Sequence, residues 1–502
     1  MTDNIKHGLK ENWKQFTILV IINAFVGGMI GMERTIFPQF ADLEFGIASK
    51  TAILSFITAF GISKAIANYF TGRLANALGR KNLLLFGWLL AIPVPFMLIF
   101  APSWSWVIFA NVLLGISQGL TWSSTVVMKI DLVGEKDRGL AMGLNEFAGY
   151  FAVGIAALLT GIIANKYGIT PYPFYIGIFI SMVGFILTIF WVEDTRAFVH
   201  KENATDKTIQ LENVFIETTF KNKTLSSVTQ AGLVNNLNDG MIWGLLPIAL
   251  FSLNFDNANI GIITAIYPTV WGIGQLFTGK MSDHYSKKGM LLWGMLLQGV
   301  AILLIPFSSD FYVLASISAI LGLGTALVYP TFLSTIAQAS SANQRAETIG
   351  TFRLWRDLGY AFGAIISGVT ADVFGIDYAI FLIGGLTIIS SLIIKFRMPT
   401  QIKVTKECIE VDEVKQAIQQ NKKIQIIDVR SIEEYEQGHI PNALNISLNE
   451  LKAKVSLLDK NFQFVTVCGK GGGRSVTGAK LMREFGLNAI WLCGGTNKWL
   501  SI

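Results

Sequence analysis

The sequence predicts an all-α polytopic membrane protein of two six-helix repeats, twelve transmembrane helices in all, followed by a smaller C-terminal α/β domain. Three observations carry that expectation: a long charge-poor stretch, an internal repeat at a fixed offset, and a change of chemistry near residue 400. Of 502 residues, 52% are hydrophobic and only 15% charged, and the mean hydropathy is +0.50. Soluble domains carry about a quarter charged residues, so a chain this long must turn most of its surface towards lipid. From Gln401 onward the charged fraction rises to 25 of 102 residues, and all three cysteines lie beyond that point. Two chemically different parts are joined there.

The net charge of +6 divides equally, +3 in the first 400 residues and +3 in the last 102. A pI near 9.0 is what the cytoplasmic loops of a membrane protein produce, so no nucleic-acid partner is expected. Neither a cofactor nor a metal site is expected. Three cysteines, odd in number and confined to the tail, do not make a disulfide framework and suit a reducing compartment. Met1 to Lys14 is polar, and the apolar run from Phe16 is long enough to remain as an anchor, so no cleavable leader is expected.

A membrane helix needs about 20 mostly apolar residues. That ruler places spans at 16–40, 51–72, 83–101, 105–128, 140–164, 173–192, 227–253, 260–280, 289–307, 311–337, 347–371 and 377–396. Only one connection is long, and it divides the set six and six. The expected organisation is therefore an N-terminal half (1–192), an inter-half loop (193–226), a C-terminal half (227–397), a linker (398–406) and the tail domain (407–502).

One side of the membrane receives Arg73, Arg80, Lys81, Lys129, Lys136, Arg138, Lys280, Lys287, Lys288 and Arg345, with the basic residues of the long loop. The other side receives Lys50 and Lys166. The positive-inside rule makes the first side cytoplasmic, and an even number of spans returns the C-terminus to it. A multi-pass cell (inner) membrane protein with both termini and the tail in the cytoplasm is expected.

Sliding the sequence against itself by 207 positions aligns Gly72 with Gly279, Gly87 with Gly294, Gly115 with Gly322, Gly143 with Gly350, Gly161 with Gly368 and Gly168 with Gly375. Lys81 then meets Lys288, and Arg138 meets Arg345. The halves read as repeats. Parallel six-helix repeats are the plan of one large class of secondary transporters, with the substrate site between the halves. Gly72-Arg-Leu-Ala-Asn-Ala-Leu-Gly-Arg-Lys81 resembles the signature loop of the major facilitator superfamily, and Gly279-Lys-Met-Ser-Asp283-His-Tyr-Ser-Lys-Lys288 is its second-half counterpart. The resemblance covers about 400 residues. Asn76 stands at the first-half Asp position and Gly115 at the place of the usual span-4 Arg, while span 5 lacks the Gly-Pro associated with antiporters. Gly72, Asn76, Gly79, Arg80, Lys81, Asp283, Lys287 and Lys288 are candidate cytoplasmic gate residues, the loop glycines allowing close helix approach. The plainer reading leaves the cations as orientation determinants.

Charges at membrane depth face a cavity or one another. Glu33 and Arg34 lie late in span 1, Glu146 early in span 5, Asp239 mid-span 7, and Arg353, Arg356 and Asp357 in span 11. Arg353 and Arg356 share a helix face and are suited to holding an anion together. Glu146 and Arg353 are repeat equivalents, either a salt bridge that opens and closes during transport or a static pair. Asn23, Asn111, Gln118, Asn235 and Gln275 complete the candidate cavity lining.

In the tail, short β-type runs at 424–429 and 462–467 alternate with amphipathic helical stretches near 412–421, 447–457 and 475–485, as an α/β domain requires. Asp428-Val-Arg430-Ser-Ile-Glu-Glu434-Tyr-Glu-Gln-Gly438-His439-Ile-Pro441-Asn-Ala443 resembles the entry signature of a rhodanese domain. Cys468-Gly-Lys-Gly-Gly-Gly-Arg474-Ser475, followed by Gly494-Gly495 and Trp499, resembles its active loop and closing motif. The resemblance implies that Cys468 accepts sulfane sulfur as a persulfide. Gly469, Lys470, Gly471, Gly472, Gly473 and Ser475 would form a backbone cradle suited to an anion at a helix start, with Arg474 as a fixed cation or a buttress. Five residues separate Cys468 from Arg474, a spacing similar to that of dual-specificity phosphatases and arsenate reductases. Cys493 reads as small-residue packing or as a resolving thiol for Cys468, and Cys408 as incidental.

The expected function is secondary active transport of a small solute, a sulfur-containing anion by this reading, with a tail that accepts sulfane sulfur. Its expected partners are the solute, the lipid bilayer and a cytoplasmic thiol acceptor. The alternatives are a membrane-tethered sulfurtransferase and an arsenate-type reductase coupled to export.

Overall fold

The computed structural model describes residues 8–133, 138–196, 198, 211–340, 342–399, 408–420 and 422–501, without the side chains of 72, 73, 75–77, 138, 139, 283, 284, 342, 343, 345 and 346. The chain forms two compact units, Met1–Arg397 and Met398–Ile502.

Among the described residues, the first unit is a bundle of twelve long helices: α1 (Trp13–Arg34), α2 (Ser55–Leu78), α3 (Arg80–Ile99), α4 (Trp104–Val133), α5 (Arg138–Tyr167), α6 (Tyr175–Trp191), α7 (Lys223–Ser252), α8 (Asn257–His284), α9 (Lys287–Leu304), α10 (Phe311–Ala339), α11 (Ala342–Phe374) and α12 (Ile376–Arg397). Among the described residues, nine helices are long and apolar enough to cross a membrane. The three that fall short on apolarity are α2, α7 and α11. These carry Lys64 and Asn68, then Asn235, Asn236, Asn238 and Asp239, then Arg353, Arg356 and Asp357, all buried. Their polarity is thus turned inward, the arrangement that hydrocarbon surroundings demand.

The first span departs from the expected 16–40. Helix α1 stops at Arg34, and a short helix, Phe37–Phe45, follows with Pro38 in its first turn. Pro38 has no N–H with which to continue the α1 ladder, so the apolar run breaks in two. A second short helix, Lys50–Ile53, precedes α2.

Helix α5 packs on α8 and α2 on α11, joining the two halves. The glycine repeat acquires its physical meaning at these contacts. A Cβ on Gly161 would lie 2.9 Å from the Gly261 Cα, and one on its repeat partner Gly368 would lie 2.8 Å from the Thr51 Cα. Only glycine allows backbones that close.

The second unit has a five-stranded parallel sheet in the order β1-β5-β4-β2-β3. Its strands are β1 (Cys408–Ile409), β2 (Ile424–Asp428), β3 (Leu444–Asn445), β4 (Gln463–Val467) and β5 (Asn488–Leu492). Its helices are α13 (Val411–Gln419), α14 (Ile432–Glu436), α15 (Leu448–Lys454), α16 (Arg474–Glu484) and α17 (Gly495–Leu500). Alternate strand residues enter opposite cores: Ile427 and Phe464 pack with Leu451 and Met482, Ile426 and Val465 with Val414 and Ile490. Both faces are covered, as a parallel sheet requires.

The cysteines correct the sequence expectation. Cys408 and Cys493 form a disulfide, with Cα atoms 5.3 Å apart, leaving Cys468 as the free thiol. Cys408 is therefore not incidental and Cys493 does not resolve Cys468. Strand β1 adds in parallel to β5, setting Cys408 opposite Trp491, two residues from Cys493. A separation of 85 residues hid that proximity, because a two-residue strand leaves no periodic signal.

Candidate functional site

Buried polar residues converge between the halves of the first unit. Asp357 on α11 is their hub: its Oδ1 accepts from Arg356 at 2.6 Å and from Asn236 of α7 at 3.3 Å, and its Oδ2 accepts from Asn68 of α2. Asn68 Oδ1 accepts from Ser123 of α4, which in turn accepts from Arg353. Arg356 also donates to the Tyr329 hydroxyl of α10, to which Tyr150 of α5 donates at 3.3 Å. One hydrogen-bonded chain thus crosses from α2, α4 and α5 to α7, α10 and α11.

Glu146 and Arg353 form no ion pair. The Glu146 Oε1 accepts from Trp122 and Asn145 at 3.1 and 2.8 Å, its Oε2 has no partner, and neither has the Arg353 Nε. Arg34 is sandwiched between rings, 4.1 Å from the Trp243 centroid and 5.3 Å from that of Phe60, and none of its three guanidinium nitrogens has a hydrogen-bond partner. Glu33 is fully buried with both oxygens unpartnered. Asp239 accepts from the Tyr267 hydroxyl on one oxygen and leaves the other free. Gln275 is buried with neither amide atom partnered.

The remaining candidates each donate to a neighbouring helix group, while the side-chain oxygens of Asn111, Gln118 and Asn235 stay without a partner. Asn23 donates to the Asn145 carbonyl at 2.7 Å, Gln118 to that of Val26 at 2.8 Å, Asn111 to that of Val107 at 3.2 Å, and Asn235 to the Asn236 side chain at 3.2 Å.

Two buried cations escaped the sequence reading. The Lys64 ammonium lies 5.2, 5.4 and 5.3 Å from the ring centroids of Phe60, Trp122 and Tyr360, an aromatic cage for a cation. Lys129, read only as a loop charge, is buried and donates to the Leu19 carbonyl at 2.9 Å. Lys64 carries the signal that flagged Arg34: an ionisable residue within an apolar span.

The signature-loop cations bind within their own halves. Arg80 meets Asp131 at the end of α4 at 3.2 Å, where Thr195 also donates at 2.7 Å. The Lys81 backbone N–H reaches Asp194 and its ammonium the Ile189 carbonyl, at 3.2 and 3.0 Å. Gly79 (φ 90°) turns the chain into α3. Lys287 donates to the Ser334 carbonyl and the Gln338 side chain of α10 at 3.2 and 2.6 Å, and Lys288 follows it in the first turn of α9. Gly72 lies within α2; the side chains of Asn76 and Asp283 lie outside the described residues.

In the second unit, Cys468 follows β4 and opens the loop Gly469–Gly473 before α16. Gly471, Gly472 and Gly473 have φ of 64°, 136° and 45°, a left-handed sequence that side chains resist. The loop rests on the residues after Cys493: Thr496 N–H donates to the Cys468 carbonyl and Asn497 N–H to that of Gly469, each at 2.9 Å. A Cβ on Gly495 would lie 2.0 Å from the Cys468 carbonyl oxygen. The thiol donates to the Gly472 carbonyl at 3.1 Å and to the Ser475 hydroxyl at 3.3 Å. The expected convergence of backbone N–H groups on sulfur is replaced by these two bonds, because Gly472 N–H turns to Ser475 Oγ at 3.1 Å.

Arg474 acts as a buttress. It grips both oxygens of Glu434 on α14, with Nη2 to Oε1 at 2.7 Å. The guanidinium holds the Glu434 carboxyl down to about 2 against a slight opposing effect of burial. Arg430 pairs with Asp428 at 2.7 Å and donates to the Gly438 carbonyl at 2.8 Å. Arg430, Glu434, Gly438, Lys470, Arg474 and Asn497 line a cleft of about 820 Å³ with Cys468 in its wall. A nucleophilic sulfur under a glycine loop at a helix N-terminus can take up an anion and exchange a group with it.

The Major Facilitator Superfamily model matches residues 18–229 and 228–428, and the Rhodanese-like domain model matches 410–502. Multidrug resistance protein MdtG of Salmonella arizonae is 23% identical over 394 residues, 76% of this chain and 95% of the relative. MdtG of Escherichia coli (strain SMS-3-5 / SECEC) is 24% identical over 390 residues, 74% and 91% of the two chains. The crystal structure of the human organic anion transporter MFSD10 (TETRAN) aligns with TM-score 0.61 at 14% identity, covering 76% of this chain and 99% of that one. At that identity the likeness is one of fold.

Proposed function

The chain belongs to the major facilitator superfamily and ends in a rhodanese-like domain, and from that premise we propose that it transports a small anion, with the tail accepting sulfane sulfur on Cys468. The observation that carries the transport reading is the set of buried guanidinium nitrogens left without partners: all three of Arg34 and the Nε of Arg353. A planar guanidinium fork suits a carboxylate, sulfonate or phosphate, and at membrane depth such donors are costly to leave idle. Arg356, already engaged by Asp357 and Tyr329, positions the network rather than meeting solute. The free oxygens of Glu33 and Asp239 offer acceptors to hydroxyl or ammonium groups on the same molecule. MFSD10 is described as an organic anion transporter, which agrees in class.

In the tail, a Cys468 thiolate attacks the outer sulfur of a thiosulfonate-type donor such as thiosulfate. The S–S bond breaks, sulfite leaves with the bonding pair, and a persulfide forms on Cys468. An acceptor thiolate or cyanide then takes the outer sulfur and restores the thiolate. Both terminal nitrogens of Arg474 are engaged by Glu434, so a phosphate or arsenate over sulfur would have to compete for them, which favours sulfur transfer over oxyanion chemistry. The sulfur-bearing character of the solute rests on the fusion of the two units. The distribution of lysine and arginine supports a cytoplasmic tail.

The test is a thermal-shift screen of the purified full-length protein with organic anions and organic cations. Stabilisation by anions, lost in Arg34→Ala and Arg353→Ala, is expected; stabilisation by cations alone would sink the reading. Thiocyanate formation from thiosulfate and cyanide, assayed beside arsenate reduction, tests the tail.

A further inference from the structure

At the end of the bundle opposite the signature loops, beside the close approach of α5 to α8, one carboxylate bridges the two halves. Asp372, in the last turn of α11, receives four hydrogen bonds from the short helix Lys50–Ile53 of the other half. These come from Ser49 Oγ at 2.7 Å, Lys50 N–H at 2.5 Å, Thr51 N–H at 2.9 Å and Thr51 Oγ1 at 2.7 Å. One turn earlier, Gly368 brings α11 against the Thr51 backbone.

The short helix is otherwise tied to its own half, since Trp104 of α4 donates to the Ala52 carbonyl and to Ser55 Oγ, each at 2.9 Å. The repeat makes the contact one-sided. At the 207-residue offset Ser49 corresponds to Asp256, which caps its own helix by accepting from Asn259 N–H at 2.8 Å, and Asp372 corresponds to Asn165. Both halves cap their own helix here, Ser49 accepting from Ala52 N–H at 3.2 Å as Asp256 does from Asn259 N–H. Only the first half adds a carboxylate from across the interface, so separation of the halves here strips the Lys50 and Thr51 N–H groups of their acceptor.

We infer that Asp372 is a positioning residue for transport, the latch that holds this end of the pathway closed and that must release whenever the pathway opens on this face. Leu54, fully buried just behind the latch with its side chain against Gly244 of α7, lies between the halves.

The first 400 residues contain no cysteine, so Leu54→Cys in the full-length protein gives a reporter that peptide mass spectrometry separates from the tail thiols. Its reaction with a charged maleimide should be slow with Asp372 present and faster by about tenfold or more in Asp372→Ala, as loss of several hydrogen bonds to a charged group implies. Asp372→Asn, which keeps one acceptor oxygen, should fall between. A scaffold role would lower the melting temperature and leave labelling unchanged, and that result overturns the inference. Should Asp372→Ala not fold, Thr51→Val decides: it keeps the volume, deletes one bond, and should raise labelling a few-fold. Equal labelling there also overturns the latch.

Discussion

Arg474 and Glu434 form a two-bonded ion pair that ties the first turn of α16 to the helix following β2 across the mouth of the Cys468 cleft. The pair fixes the mouth of the site rather than contacting the sulfur.

Because the Glu434 carboxyl is held at about 2, against 4.5 for an ordinary glutamate, the pair contributes above pH 4.5 and fades as pH falls towards 2. The melting temperature of the tail should therefore drop between about pH 5 and pH 2. Glu434→Gln should flatten that part of the profile by lowering the melting temperature at pH 7 towards its acid value, a small change in both places because the pair is largely solvent-exposed. An unaltered profile in the variant would show that other carboxylates dominate.

Cys468→Ser should abolish thiocyanate formation while leaving the melting temperature close to that of the parent, for the replacement retains a small hydroxyl under the loop. Gly473→Ala tests the cradle. With φ 45° and ψ −104° at this residue, a Cβ is strained even though it meets open space, and about 1–3 kcal/mol of destabilisation is expected. Persulfide formation on Cys468, followed by mass spectrometry, should slow in step.

Asp357→Ala removes the hub acceptor and strands the Arg356 guanidinium at membrane depth. A loss of about 3–5 kcal/mol is expected in unfolding experiments on the full-length protein. Arg356→Met combined with Asp357→Ala should recover much of it, because the guanidinium that the single variant strands is then absent. Equal losses in the single and double variants would mean that Asn68 and Asn236 are the partners that matter.

The disulfide makes its own forecast. Opening a loop of this length by Cys408→Ser should lower the stability of the oxidised tail by about 2–5 kcal/mol. Denaturant titration with and without reductant measures it, and the variant should be insensitive to reductant.

The sequence displayed the fold plan well wherever a physical rule acted on many residues at once. Apolar length announced the helices, the glycine offset announced the two halves, and the Cys468–Arg474 loop announced the tail site. What escaped depended on single contacts. Lys64 sits in an aromatic cage assembled from three helices, a neighbourhood that no local pattern encodes. Arg353 and Glu146 matched by repeat position, yet each found a nearer partner, Ser123 for one and Trp122 for the other. The signature cations turned inward to their own halves because Asp131 and Asp194 lie one helix end away. Strand β1 is two residues long, so the disulfide it carries could be seen only in three dimensions.

The Cys408–Cys493 bridge also settles how the tail bears load. Strand β1 begins at Cys408 and meets the sheet through only two residue pairs. A pull on β1 alone would unzip so short a ladder almost at once. With the bridge in place, the same tug is carried by a covalent bond directly to the end of β5, beside the glycines that support the Cys468 loop. The edge strand thus becomes a mechanical bypass: tension is delivered to the foundation of the reactive loop instead of being dissipated by peeling.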